Sequence, residues 1–247
     1  MLFSILTLFP DAVESYLDVG VLGIARARGL VQTRVVDFRD FTRDRHRTVD
    51  DRPFGGGPGM VLKPEPIVEA VEWLEGRYGP HRRIALTPDG VTFDQSHAEA
   101  LAAPALTGSS GDTDPRPVLL LCGRYEGFDD RALTLLDFER LSIGNFVLAG
   151  GELGALVVIE AAARLVPGVL GDDRSAVEDS YSNGGGLDHP HFTRPRVFRG
   201  IGVPDVLLSG DHAGIDAWRR AQSEARTKAK EESSHAGTKY NQSSDER

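Results

Sequence analysis

An α/β domain built on a parallel sheet is the fold this sequence predicts. Residues 83–87 and 117–122 are short apolar runs bounded by turn-forming residues, as strands buried on both faces are. Helical stretches of moderate length fall between the apolar runs, an alternation that lays helices over such a sheet. With 247 residues, 40% of them hydrophobic, the chain can fill one large core or two modest ones.

The elements follow in order. Ser4-Ile5-Leu6-Thr7-Leu8 reads as the first strand. The apolar start at residues 1–9 lacks a basic segment, so it reads as a buried strand rather than a signal peptide, and no apolar run reaches the roughly 18 residues of a membrane span. Pro10-Asp11 opens a helix towards Tyr16, because proline suits the first helical position and acids suit the first turn. Residues 21–28 read as a short amphipathic helix ending near Gly29. Residues 31–37 are β-branched and strand-like. Residues 39–53 are polar and charged, hence a loop. Residues 66–77 place Ile67, Val68, Val71 and Leu74 at helical spacing. Residues 107–117, rich in Gly, Ser, Asp and Pro, read as a surface loop. Residues 152–166 are apolar on nearly every face. Such a helix needs burial all round, and a subunit interface is one way to provide it.

Residues 171–186 lack bulky apolar side chains and read as a flexible linker or a mobile active-site loop. A smaller unit follows, with Trp218 and a helix at residues 215–225. From Lys228 the composition predicts a disordered tail. The resulting division is 1–170, 171–186, 187–230 and 231–247.

Charge and cysteine content narrow the function. Against 37 acidic side chains stand 28 basic ones, a net charge of −9 with pI near 5.3. That excludes nucleic-acid binding through bulk positive charge but leaves room for local basic surfaces. Arg39, Arg43, Arg45, Arg47 and Arg52 form one basic stretch with His46. Arg194, Arg196 and Arg199 form another, interleaved with Phe192 and Phe198. Basic and aromatic side chains together suit an RNA backbone with an unstacked base. A single cysteine, Cys122, excludes a disulfide framework and a Cys-rich zinc site, and fits a reducing, cytoplasmic setting.

Three glycine-rich segments could carry chemistry. Phe54-Gly55-Gly56-Gly57-Pro58-Gly59-Met60 allows close backbone approach but matches neither a dinucleotide fingerprint nor a phosphate loop, and a tight turn explains it equally well. Cys122-Gly123-Arg124-Tyr125-Glu126-Gly127 follows a strand directly, where open α/β sheets bind ligands; an ordinary turn remains an alternative. Residues 141–152, around Gly144, Gly150 and Gly151, form an apolar loop whose backbone groups suit a nucleoside better than a polyphosphate. Asp188, His189 and His191 have loose spacing with Pro190 between, so a hydrogen-bonded pair is expected there rather than a metal site. No nucleophile elbow is present, and Cys122 has no adjacent histidine.

In order and number these segments resemble the bacterial tRNA (guanine-N1)-methyltransferase family, of the SPOUT trefoil-knot class. The matching stretches are Asp50 through Met60, Cys122 through Gly127, Ser142 through Glu152, Pro167-Gly168-Val169-Leu170-Gly171, Glu178-Asp179-Ser180, Thr193-Arg194-Pro195 and Val206 through His212. The resemblance implies methyl transfer from S-adenosylmethionine to N1 of guanosine 37 in tRNA. It implies a parallel sheet with a deep trefoil knot between about Gly123 and Leu148, an exception to the rule of unknotted chains, and a small helical carboxyl-terminal domain. It places the cofactor on Leu86, Gly123, Tyr125, Glu126, Ile143, Gly144, Asn145, Phe146, Val147, Leu148, Gly150 and Gly151. It makes Asp179 the general base and Arg164 the group that stabilises guanine O6. Asp50, Gly59, Asp188 and Arg194 fall to the RNA. It also implies a homodimer with sites built from both chains. Magnesium assists such enzymes, yet no ligand set for it is visible.

The chemistry is consistent with those roles. A sulfonium methyl is already activated, so no enzyme nucleophile is needed. Guanine N1 carries a proton that a base must remove, and charge then grows on O6. Departures from the pattern are Asn145 in place of the usual aspartate, a long linker at Asn183-Gly184-Gly185-Gly186, and an atypical end after Thr227. The alternatives are a related enzyme acting on another RNA and a non-catalytic RNA-binding module.

Overall fold

Side chains alternate across a strand, so a strand that is apolar at every position needs cover on both faces. Val118–Cys122 is buried throughout, and it lies at the centre of a five-stranded parallel sheet. The structure, a computed structural model, describes residues 1–107, 114–172, 179–182 and 185–242. The chain divides into two compact units, Met1–Asp173 and Arg174–Arg247.

In the first unit the strands are β1 (Leu2–Thr7), β2 (Gln32–Asp37), β5 (Arg82–Thr92), β6 (Val118–Cys122) and β7 (Glu139–Ser142), in the order β2-β1-β6-β5-β7. A two-residue pair, β3 (Asp50–Asp51) and β4 (Val61–Leu62), stands apart from them. One face packs Phe3, Ile5, Leu120 and Cys122 against α1 (Pro10–Leu17), α2 (Gly20–Ala27), α4 (Gln95–Thr107) and α6 (Glu152–Ala163). The other packs Leu6, Leu119 and Leu121 against α3 (Pro64–Tyr78) and α5 (Asp130–Leu135). Burying each such leucine contributes roughly 1.5–3 kcal/mol.

Several expectations need correction. The strand expected at residues 83–87 runs on to Thr92. Leu86 and Val91 both pair with Leu141, so the four residues between them bulge out of the ladder. Pro88 belongs in such a bulge because it has no N–H to give. Gly90 packs against the backbone of Leu141, where any Cβ would overlap. The loop at residues 39–53 also contains a short 3-10 turn, Phe38–Phe41. Within one chain α6 is not buried all round, since Leu153, Val157 and Glu160 share an exposed stripe. Most of the surface loop expected at residues 107–117, and the linker positions 173–178 and 183–184, lie outside the described residues.

The second unit holds a hairpin of β8 (Val197–Phe198) and β9 (Ile201–Gly202). Arg199 and Gly200 both have positive φ, 49° and 84°, which suits a two-residue hairpin loop. A 3-10 turn, Asp205–Leu208, leads to α7 (His212–Gln242). The tail expected to be disordered from residue 231 is helical to Gln242. It lacks core formers, but Ala229, Lys230, Glu231 and Glu232 are strong helix formers, and propensity suffices to continue a helix already begun.

His81, just before β5, is a buried titratable group. Its Nδ1 donates to the Gly79 carbonyl at 2.8 Å, which leaves Nε2 to accept the Ser4 hydroxyl at 3.0 Å. Burial pushes its pKa below the ordinary value, with Arg34 and Arg83 adding to the effect. A histidine held neutral in the folded state takes up its proton more readily when unfolded. Stability is therefore full above about pH 6.5 and falls as the pH drops below it. Urea unfolding at pH 7.5 and 5.5 should show that loss, and His81→Gln should flatten it.

Candidate cofactor site

Ligands of open α/β sheets sit beyond the carboxyl ends of the strands. Here β5, β6 and β7 end side by side and open a cavity of about 410 Å3. From β5 come Leu86 and the bulged Thr87, Pro88 and Asp89. From the loop after β6 come residues 123–128. β7 ends in Ser142, and the segment after it supplies Ile143, Gly144 and then residues 146–151, which lead into α6. The return of that segment is fixed by Gly151 N–H, which donates to the Gly123 carbonyl at 2.9 Å. Added at Gly151, a Cβ would stand 2.9 Å from Cys122 Cα and Gly123 N, both backbone atoms that cannot give way.

The cavity gathers Leu86, Gly123, Tyr125, Glu126, Ile143, Gly144, Phe146, Val147, Leu148, Gly150 and Gly151. Asn145 departs from the expected set. It sits exposed at the apex of a tight turn closed by Phe146 N–H to the Gly144 carbonyl at 2.9 Å, and it does not line the cavity. Sequence reasoning missed the bulge, and it missed Asp130 and Arg140, which also line the cavity. Arg140 pairs with Asp89 at 2.6 Å and with Asp130. Tyr125 adopts φ 58°, a left-handed conformation that a tyrosine holds only where its surroundings impose it.

A second strand of chain lies over the loop after β6. Met60 carbonyl accepts Glu126 N–H at 3.0 Å, and Leu62 N–H donates to the Gly127 carbonyl at 2.9 Å. Gly59 packs its α-carbon against the Glu126 side chain. Asp50 pairs with Leu62. Thus two residues expected to serve the RNA lie beside the cavity wall: Asp50 through its pairing with Leu62, and Gly59 against the Glu126 side chain.

With this geometry in view, comparison with known proteins is decisive. The family model for tRNA (Guanine-1)-methyltransferase TrmD matches residues 1–234. The chain belongs to that family. A relative in Dehalococcoides mccartyi, named tRNA (guanine-N(1)-)-methyltransferase, is 49% identical over 228 residues, 92% of this chain and 87% of its own. One of the same name in Rhodopirellula baltica is 51% identical over 230 residues, 92% of this chain and 90% of its own. Among solved structures, the tRNA (m1G37) methyltransferase of Aquifex aeolicus is similar with a TM-score of 0.73 at 36% identity, covering 93% of this chain and 92% of its own.

The remaining candidate residues fall in both units. Arg164 is half-buried at the carboxyl cap of α6, in the first unit, where its backbone N–H bonds the Glu160 carbonyl. Asp179 is exposed in the second unit, and its Oδ1 accepts Ser180 N–H at 2.8 Å. Asp188 lies in a segment stitched to α7. Arg226 donates to its carbonyl at 2.7 Å, and the neighbouring Leu187 N–H donates to Thr227 Oγ1 at 2.8 Å. Burial raises the Asp188 pKa, but the His189 N–H and the His191 ring outweigh that and hold it below the ordinary range. Arg194 precedes Pro195 through a cis peptide bond.

Asp188, His189 and His191 bring ligating atoms within 4.8 Å of one another, closer than their sequence spacing suggested. His191 Nε2 lies 2.9 Å from Asp188 Oδ2, and His189 N–H bonds Oδ1 at 2.6 Å. Two imidazoles and one carboxylate are a poor match for magnesium, which prefers oxygen donors. Among the described residues no helix is long and apolar enough to cross a membrane.

Cys122 ends β6 beneath the cavity. Burial, with Glu152 adding to it, pushes its thiol well above the ordinary range, so it is an inert packing group rather than a nucleophile. Ellman's reagent at pH 8 should leave the native protein unlabelled and react with one thiol per chain in urea.

Proposed function

We propose that the chain transfers a methyl group from S-adenosylmethionine to N1 of guanosine 37 in tRNA, beside the anticodon, with the cavity at the ends of β5, β6 and β7 as the donor site. The observation that carries this reading is the convergence of the three strand-end loops on one cavity. Its walls include every residue expected to hold the cofactor except Asn145. A cradle of backbone at Gly123, Gly150 and Gly151 with apolar Leu86, Ile143 and Leu148 suits a nucleoside. The donor supplies an electrophilic methyl on a sulfonium, and it leaves as a neutral thioether.

The chain's own residues then have two tasks. Asp179 takes the proton from guanine N1 as the N–CH3 bond forms. Arg164, carried on a rigid helix end, offers guanidinium N–H groups to O6 as negative charge develops there. Asp50, Gly59, Asp188 and Arg194 are proposed to position the RNA. No step is assigned to magnesium.

Two structural features support the wider reading. The parallel order β2-β1-β6-β5-β7, with residues 144–151 returning to Gly123, accords with a SPOUT trefoil knot. The exposed stripe of Leu153 and Val157 accords with a homodimer, because α6 is apolar there without cover from its own chain. The proposed partner is tRNA, and the proposed setting is the cytoplasm.

Methyl transfer to a tRNA transcript with G at position 37 should exceed transfer to one with A there by orders of magnitude. Equal labelling of both, or of neither, would remove guanosine 37 as the target. Asp179→Asn should leave S-adenosylhomocysteine affinity unchanged while lowering turnover about 10²–10⁴-fold, the usual contribution of a general base. Lost affinity in that variant would make Asp179 a cofactor ligand instead.

A further inference from the structure

Arg124 is wedged beneath the segment that closes the cavity. Its Nη2 lies 3.0 Å from Glu152 Oε2, and its Nη1 donates to the Ala149 carbonyl at 3.4 Å. Its guanidinium carbon stands 4.2 Å from the centre of the Phe9 ring. Arg124 and Gly150 form a short antiparallel bridge, and a Cβ on Gly150 would overlap Arg124 Nε. The backbone of the closing segment therefore lies directly against the Arg124 side chain.

The anchor beneath it is buried. Glu152 is the first residue of α6 and only 5% exposed. Its Oε1 accepts the Thr7 hydroxyl at 2.8 Å, and Thr7 Oγ1 accepts Phe9 N–H at 2.9 Å. One chain of contacts thus joins the end of β1, the loop after β6, the closing segment and the start of α6. The ion pair is not a well-formed fork, because Arg124 Nε and Glu152 Oε2 are both buried without a hydrogen-bond partner. A pair in that state adds little to stability over apolar replacements. What its geometry fixes is the height and place of residues 149–150.

We propose that Arg124, backed by Glu152, is a positioning residue that presets the Ala149–Gly150 backbone for the methyl donor. The inference rests on the reading of this cavity as the donor site. Holding the segment in place before binding removes the ordering cost that a loose loop would add to binding. Arg124 acts through Gly150 and not on the guanine, so its effect belongs to cofactor affinity and not to the chemical step.

The test uses the full chain and three variants: Arg124→Gln, Arg124→Lys, and Arg124→Gln with Glu152→Gln. The readouts are melting temperature, S-adenosylhomocysteine affinity by calorimetry, and kcat at saturating donor. Arg124→Gln should lower the melting temperature, because it strands the Glu152 charge, and weaken affinity about tenfold or more. The double variant should recover the melting temperature but not the affinity. Arg124→Lys keeps a cation for Glu152 but loses the guanidinium that bonds the Ala149 carbonyl and packs against Gly150, so it should keep its melting temperature and still bind weakly. In folded variants kcat at saturation should stay within about threefold of the parent, as expected when only ground-state and transition-state binding fall together. Affinity that tracks melting temperature through the series would overturn the proposal, as would a loss of kcat at unchanged affinity. If the parent protein itself binds no S-adenosylhomocysteine, the donor-site reading fails instead.

Discussion

The hydrogen bond from Gly151 N–H to the Gly123 carbonyl fixes the relation on which the rest of the site depends. It ties the first turn of α6 to the end of the central strand. One face of α6 is committed to the core through Ala155, Ile159 and Ala162, so the helix cannot shift to suit the loop. The chain between β7 and α6 must then cross above the end of β6 within the few residues available. That crossing leaves the cavity open on the strand ends and closed beneath. Glycine at 151 is required by contact with backbone, not by turn conformation.

Burial of the sheet on both faces explains why function collects at one edge. Leu119, Leu120 and Leu121 serve only packing, and the polar work falls to the loop after Cys122. The acidic total of the chain also reaches the basic stretch at residues 39–52, where Arg39 pairs with Asp37, Arg43 with Glu69 and Arg47 with Asp40. Many arginines are already matched: Arg26 with Glu14 and Asp18, Arg83 with Glu75, Arg131 with Asp129. Arg83 and Glu75 form a part-buried two-point fork, whereas the more exposed of these pairs, such as Arg131 with Asp129, contribute little stability each. Their effect is to restrict where an RNA phosphate finds unmatched positive charge.

The fold was legible in the sequence where burial dictated composition. β1, β6 and α3 show it, because continuous or periodic apolar residues must be kept from water. β7 was not legible, since Glu139-Arg140-Leu141-Ser142 is a four-residue edge strand whose two charges hide its apolar character, Glu139 pairing with Arg82 and Arg140 with Asp89 and Asp130. The extension of β5 was hidden by Pro88 and Gly90, which read as a strand end but mark a bulge. The Arg199-Gly200 hairpin is not legible because arginine is an unusual residue for positive φ. In the site, the glycine loops declared themselves by spacing. Asp179 and Arg164 carry no local signal, and only family resemblance singled them out. Arg124 and Glu152 stood in plain view beside those glycines, yet their pairing joins residues far apart along the chain and needed coordinates to be seen.

The glycine-lined cradle has a consequence for inhibition. Much of the surface a bound molecule would meet at Gly123, Gly150 and Gly151 is peptide backbone, which no codon change can remove. Adding a side chain at Gly151 collides with the central strand, and adding one at Gly150 displaces Arg124. A compound that makes its polar contacts to these amides and carbonyls would therefore face a narrow route to resistance. Most single changes able to exclude it would also deform the pocket for the natural ligand.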